Sequence, residues 1–171
     1  MHITPNKIEI KDLTHEDLVR LLDTGVEDSS RFGLSYDRRD YARLENQDTD
    51  DFRTDKCAKI LLAGGSVKIT DYDADGVGYA GGDVPFTPGD GDEVIYHVTL
   101  DRILDGLFHA ANAEFIPSFN DKERDKDGIR NEREYVRDAF DAFSDPEGSD
   151  FDADYAEALV QIILFNEIIY C

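Results

Sequence analysis

Lysine and arginine are missing from two long stretches of this sequence. Between Lys68 and Arg102 there is none, while Asp71, Asp73, Asp75, Asp83, Asp90, Asp92, Glu93 and Asp101 place eight negative charges there. From Asp138 to Cys171 there is again none, and Asp138, Asp141, Asp145, Glu147, Asp150, Asp152, Asp154, Glu157 and Glu167 add nine. These windows carry 17 of the 21 negative charges in the formal net charge, so the acidity is blocked rather than uniform. Binding a nucleic-acid backbone relies on basic side chains displacing counterions, so direct contact with DNA or RNA is disfavoured.

Other absences narrow the field further. No GK[ST] follows the glycines at 64, 65, 76, 78, 81 and 82, and the surrounding carboxylates repel phosphate, which argues against nucleotide binding. The most apolar stretch, Leu159 to Phe165, is too short to span a bilayer, and no basic segment followed by an apolar run opens the sequence. Only two cysteines occur, Cys57 and Cys171, without CxxC spacing, so neither a disulfide framework nor a zinc site is expected and a reducing cytoplasm fits best. His2, His15, His97 and His109 form no HExxH or HxxxH frame, and neither cysteine has the context of a nucleophile. The expectation is a protein that is not an enzyme and carries no cofactor.

What is present suffices for a folded domain. Apolar residues make up 40%, with ten Phe and eight Tyr, in a chain of 171 residues, a length at which folding buries about 68–70% of the extended chain's surface. Lys7 to Lys11 alternates as a short strand does. Thr14 with Asp17 three residues on resembles a capping box and starts a helix to Asp23, with Leu18, Leu21 and Leu22 on one face. Glu27 to Asp50 shows no sustained period and reads as a long connection with one helical turn. Phe52, Cys57, Ile60 and Leu61 resume a helical pattern that stops at Gly64 and Gly65.

Ser66 to Tyr72 and Val94 to Leu100 alternate as strands and are expected to pair across the acidic, glycine- and proline-rich span between them. Thr99 or Asp101 caps a helix with Ile103, Leu104, Leu107, Phe108 and Ala111, which ends before Pro117. A further helix runs over Ile129 to Phe143. The last, Asp154 to Asn166, is capped by Asp150 or Asp152 and is apolar enough to be the core helix. The sum is one α+β domain, a small antiparallel sheet packed against about five helices.

Two Asp-rich frames imitate calcium loops. Asp71, Asp73, Asp75 and Gly76 copy the first half of such a loop, but its twelfth position is Gly82 where a bidentate Glu is required. In the second frame, Glu123, Asp125, Asp127 and Gly128 lead to Glu134 at the twelfth position, yet Arg130 stands at the apolar eighth. Calcium binding by these loops is therefore the alternative reading. The leading one follows from charge: carboxylates held on a rigid fold present a field comparable to duplex DNA, which carries about one charge per 1.7 Å of axis. The expected partner is a basic, nucleic-acid-binding protein, met through Asp71, Asp73, Asp75, Asp90 and Asp92 in one window and Asp145, Glu147, Asp150, Asp152 and Asp154 in the other.

Leu13 to Asp23 (LTHEDLVRLLD), Cys57 to Asp73 (CAKILLAGGSVKITDYD), Tyr96 to Asn112 (YHVTLDRILDGLFHAAN) and Gln161 to Tyr170 (QIILFNEIIY) resemble small acidic hypothetical proteins of gut Bacteroides-type phages and mobile elements. The resemblance transfers no active-site residue. It implies a counter-defence protein in the host cytoplasm, of anti-CRISPR or anti-restriction type, that occupies the basic groove of a host protein. A phage structural or assembly factor is the further alternative.

Overall fold

Thr14 opens the first helix of the computed structural model, which describes residues 12–74, 84–115, 126–147 and 150–169, with 126–131 described as backbone alone. Asp17 N–H donates to Thr14 Oγ1 at 3.2 Å and Thr14 N–H donates to Asp17 Oδ2 at 3.0 Å, the reciprocal box that the sequence calls for. Helix α1 (His15–Leu22) runs without a break into one π-helical turn, Asp23–Glu27, which lies against the last helix. At Gly25 an added Cβ would sit 2.8 Å from Val160 Cγ2 and 3.0 Å from the Ala156 carbonyl, so only glycine permits this approach.

Strand β1 (Phe32–Ser35) and the short helix α2 (Arg38–Ala42) follow, then helix α3 (Arg53–Leu62). The stretch between Glu27 and Asp50 is thus not one long connection: it contains a sheet strand as well as a helical turn. Gly64, at φ +86°, ends the third helix as expected. Strand β2 (Ser66–Asp71), edge strand β3 (Phe86–Pro88) and strand β4 (Val94–Thr99) complete an antiparallel sheet of order β1-β2-β4-β3. The glycine- and proline-rich span thus contributes a strand too. Helices α4 (Leu100–Asn112), α5 (Lys126–Ser144) and α6 (Ala153–Phe165) finish the fold, capped at α4 by Thr99 and at α6 by Asp152.

This is an α+β fold with one small antiparallel sheet. Register aligns Leu34, Ile69 and Tyr96 on one face, and Phe32, Asp71 and Val94 beside them, all buried. Phe165 packs on that face, with ring centroids 5.5 Å from Tyr96 and 6.4 Å from Phe32. Leu159 to Phe165 is buried without interruption, Gln161 included, which makes α6 the core helix around which α4, α5 and the π-turn gather. Among the described residues no helix is long and apolar enough to cross a membrane. The strand expected over Lys7 to Lys11 lies outside the described residues.

Candidate functional site

The two basic-free windows meet in space through a third segment. Ser29 follows the π-turn, and its Oγ donates to Glu157 Oε2 on α6 at 3.0 Å. The same Oγ accepts the Arg31 N–H at 3.1 Å, and Arg31 Nη1 lies 3.6 Å from Asp73 Oδ2 just beyond β2. Ser29 to Arg31 therefore joins an acid of the second window to an acid of the first. Antiparallel pairing brings the β3–β4 turn, with Asp90 and Asp92, to the same end of the sheet as Asp73, since Val94 is the register partner of both Asp71 and Pro88. Asp73, Asp90 and Asp92 are exposed.

Beside this rim lies a groove of about 370 Å³ between the C-terminal half of α5 and the approach to α6, lined by Asp138, Asp141, Ala142, Asp145, Asp150 and Tyr155. Asp138, Asp141 and Asp145 share one helical face, spaced by about 4.5 and 6 Å of rise, and Asp150, Asp152 and Asp154 supply a second exposed row. Helix geometry fixes the second row: Asp152 Oδ1 accepts the Tyr155 N–H at 3.0 Å, and the N-terminus of α6 favours the carboxylates around it. Arg20 steadies the groove from below, donating to the Phe143 carbonyl, with its guanidinium carbon 5.1 and 5.2 Å from the Phe143 and Phe151 rings.

Tyr135 registers the field of this region. Its hydroxyl pKa is pushed up to about 12, first by burial and then by the charges of Asp154 and Asp152, with Tyr155 and Glu157 behind them. Its ring packs on Tyr155, centroids 5.2 Å apart. Asp138, Asp141, Tyr135 and Tyr155 are therefore part of the site although the sequence did not single them out; Asp138, Asp141 and Asp145 at i, i+3 and i+7 were the available signal.

Asp71 leaves the set. It is 1% exposed, on the face of β2 shared with Val67 and Ile69, and its Oδ1 accepts the Asp73 N–H at 3.0 Å. A carboxylate enclosed in this way cannot meet a partner's surface or begin a solvent-accessible calcium loop, so its role is structural. Asp75 lies outside the described residues, as does Asp125. Asp127 and Glu134 both fall inside α5, whose helix begins at Lys126, so the second frame is helical where a calcium loop has to turn. Glu147, like Asp145, is exposed in the segment after α5.

The remaining candidates are dispersed. His97 Nε2 lies 3.2 Å from Thr87 Oγ1, His109 Nε2 is 3.5 Å from Asp105 Oδ1, and His15 Nε2 is 3.7 Å from Asp55 Oδ1, on separate elements. Cys57 is buried in α3, and burial pushes its thiol up to about 12, followed by the Glu27 charge, which makes it a poor nucleophile. Among the described residues no group of three or more His, Cys, Asp or Glu side chains is placed to hold a metal ion. Comparison with protein-family models, curated proteins and solved structures finds no match.

Proposed function

We propose that this chain is an acidic decoy that occupies a basic, nucleic-acid-binding surface of another protein and inhibits it by exclusion, without chemistry of its own. The observation that carries the reading is the double row of exposed carboxylates around the α5–α6 groove, in a stretch that supplies no lysine or arginine from Asp138 onward. One strand of duplex DNA carries a charge about every 3.4 Å of rise. A single helical row at about 4.5 to 6 Å is sparser, and the second row together with the rim at Asp73, Asp90 and Asp92 makes up the density. The resemblance to phage and mobile-element proteins directs the proposal toward a CRISPR effector or a restriction enzyme as target.

The test is capture from bacterial lysate at low and moderate salt, followed by competition of each captured protein with duplex DNA. A supporting result is a nucleic-acid-binding protein that DNA displaces and that binds more weakly once Asp145, Glu147, Asp150, Asp152 and Asp154 are changed to Asn or Gln. Slower association and a flatter salt dependence are expected, because steering depends on the summed field. Glu45 and Asp48, exposed and outside both windows, serve as the control positions. Binding that neither DNA nor neutralisation alters sinks the reading.

A further inference from the structure

Phe52 is the most exposed large apolar side chain among the described residues, at 78%, and it stands at the N-cap of α3. That position favours Ser, Thr, Asp or Asn, whose oxygen accepts a helix N–H; a phenyl ring offers none. Burying a phenylalanine is worth about 1.5–3 kcal/mol, which the fold forgoes here. Local stability therefore accounts for neither the residue type nor its exposure.

The ring is held in place rather than frayed. Phe52 N–H donates to Asp55 Oδ2 at 3.1 Å, and its carbonyl accepts the Lys56 N–H at 3.1 Å. The preceding residue, Asp51, accepts Lys59 Nζ at 2.6 Å and the Tyr41 hydroxyl at 2.5 Å on the same oxygen. A side chain on so fixed a backbone loses little freedom when something docks on it.

Next to the ring opens a cleft of about 490 Å³ lined by Val19, Asp23, Glu27, Phe52, Arg53, Thr54 and Asp55. Three carboxylates face one guanidinium there, and Arg53 Nη1 is already 3.2 Å from Glu27 Oε1. The α3 N-terminus adds about half a positive charge, and His15 lies 3.7 Å from Asp55, so with His15 neutral the lining stays negative. An aromatic face bordered by carboxylates accepts a guanidinium or ammonium side chain. The protein makes the same pairing internally, with Arg20 over Phe143 and Lys56 Nζ 5.5 Å from the Tyr41 ring. The cleft also adjoins the acidic face, because Glu27 is two residues from Ser29, which bonds Glu157.

We infer that Phe52 and this cleft form a second contact that takes an arginine- or lysine-bearing segment of the partner protein; the inference rests on the decoy reading for that partner's basic character. The first contact supplies field and the second a fixed anchor, which places specificity at Phe52. A nona-arginine peptide is the probe, titrated by calorimetry and by NMR of labelled phenylalanine rings against the parent chain, Phe52→Ala, Phe52→Leu and the five-site acidic variant.

The expected result is a saturable shift of the Phe52 ring signals and a two- to fivefold loss of affinity in both Phe52 variants, the range of an exposed cation–π contact, with an unchanged salt slope. Equal affinity of parent and Phe52→Ala, or a ring that does not respond, overturns the inference. If the acidic variant alone weakens binding, the anchor is refuted and the decoy stands; if Phe52→Ala alone does so, the anchor stands without the groove. A parent chain that does not bind the peptide at low salt refutes both.

Discussion

Ser29 Oγ donates to Glu157 Oε2 at 3.0 Å, a contact between residues 128 positions apart. It fastens the end of the π-turn to the second turn of α6, and through the Arg31 N–H it fixes where β1 begins. Two acidic windows that are remote along the chain thereby share one surface. Asp71 and Asp73 sit at the far end of this linkage, two residues apart, with opposite surroundings.

Asp71→Ala removes a buried acceptor and leaves the Asp73 N–H without that bond, at a cost of about 1–3 kcal/mol. Asp73→Ala removes a two-thirds exposed carboxylate paired loosely with Arg31, a change of about 0–1 kcal/mol. Urea unfolding should show a clear fall in midpoint for the first and almost none for the second. A midpoint in Asp71→Ala equal to the parent's would show that the carboxylate supports nothing.

Tyr41, Asp51 and Lys59 clamp the loop that precedes α3. Burial acts to raise the Asp51 pKa, but hydrogen bonds from Lys59 and Tyr41 and the Lys59 charge outweigh it and hold the carboxyl below its ordinary value. The hydrogen bond to Asp51 raises Lys59, against burial, while burial and the bond to Asp51 raise Tyr41. The Asp51 contribution is complete above about pH 4 and disappears as pH falls through its lowered folded value. The Lys59 and Tyr41 contributions hold below about pH 10 and disappear as pH rises through their raised folded values.

Acid also relieves the repulsion of a chain at −21, so the measurement is the stability difference between the parent and Asp51→Asn across pH. It should be flat from pH 5 to 9 and shrink below pH 4. Tyr41→Phe, which loses bonds to Asp51 and Asp48, should cost about 1–2 kcal/mol at neutral pH. A parent-to-variant difference that persists unchanged to pH 2 would rule the clamp out.

Gly106 and Gly64 are both expected to resist alanine, for different reasons. At Gly106 on α4 an added Cβ would lie 2.6 Å from Ile163 Cγ1 and 2.7 Å from Ile163 Cα, so α4 and α6 would have to separate, at about 1–3 kcal/mol. At Gly64 no atom lies within 4 Å, and the penalty of about 1–2 kcal/mol comes from φ +86° alone. Restoring room by Ile163→Val should rescue part of the Gly106→Ala loss and none of the Gly64→Ala loss. Equal rescue at both positions would contradict the packing argument.

Sequence patterning reached the long elements because each carried its own signal: the Thr14 and Asp17 box, the Gly64 stop, the alternation in β2 and β4, and the apolar length of α6. It missed β1 because Phe32-Gly33-Leu34-Ser35 offers only two apolar positions, and β3 because Pro88 is tolerated there only as an edge residue that need not donate to the ladder. The burial of Asp71 was legible in principle, since it continues the period-two face of Val67 and Ile69, but the Asp-Tyr-Asp pattern suggested a loop instead. The acidity of the site was readable from the charge windows. Their convergence was not, because it depends on contacts such as Ser29 with Glu157 that leave no mark in local sequence.

Helix α6 touches the sheet through Phe165, α4 through Ile163 and the π-turn through Val160, yet it is the last helix in the chain. On a ribosome, every surface that it covers is made before it is. At about 5–20 residues per second the earlier helices and sheet remain open for seconds, their apolar faces exposed to chaperones and to one another. The fold therefore closes late in synthesis, and the acidic face that Glu157 helps to assemble comes into being only when that closure is complete.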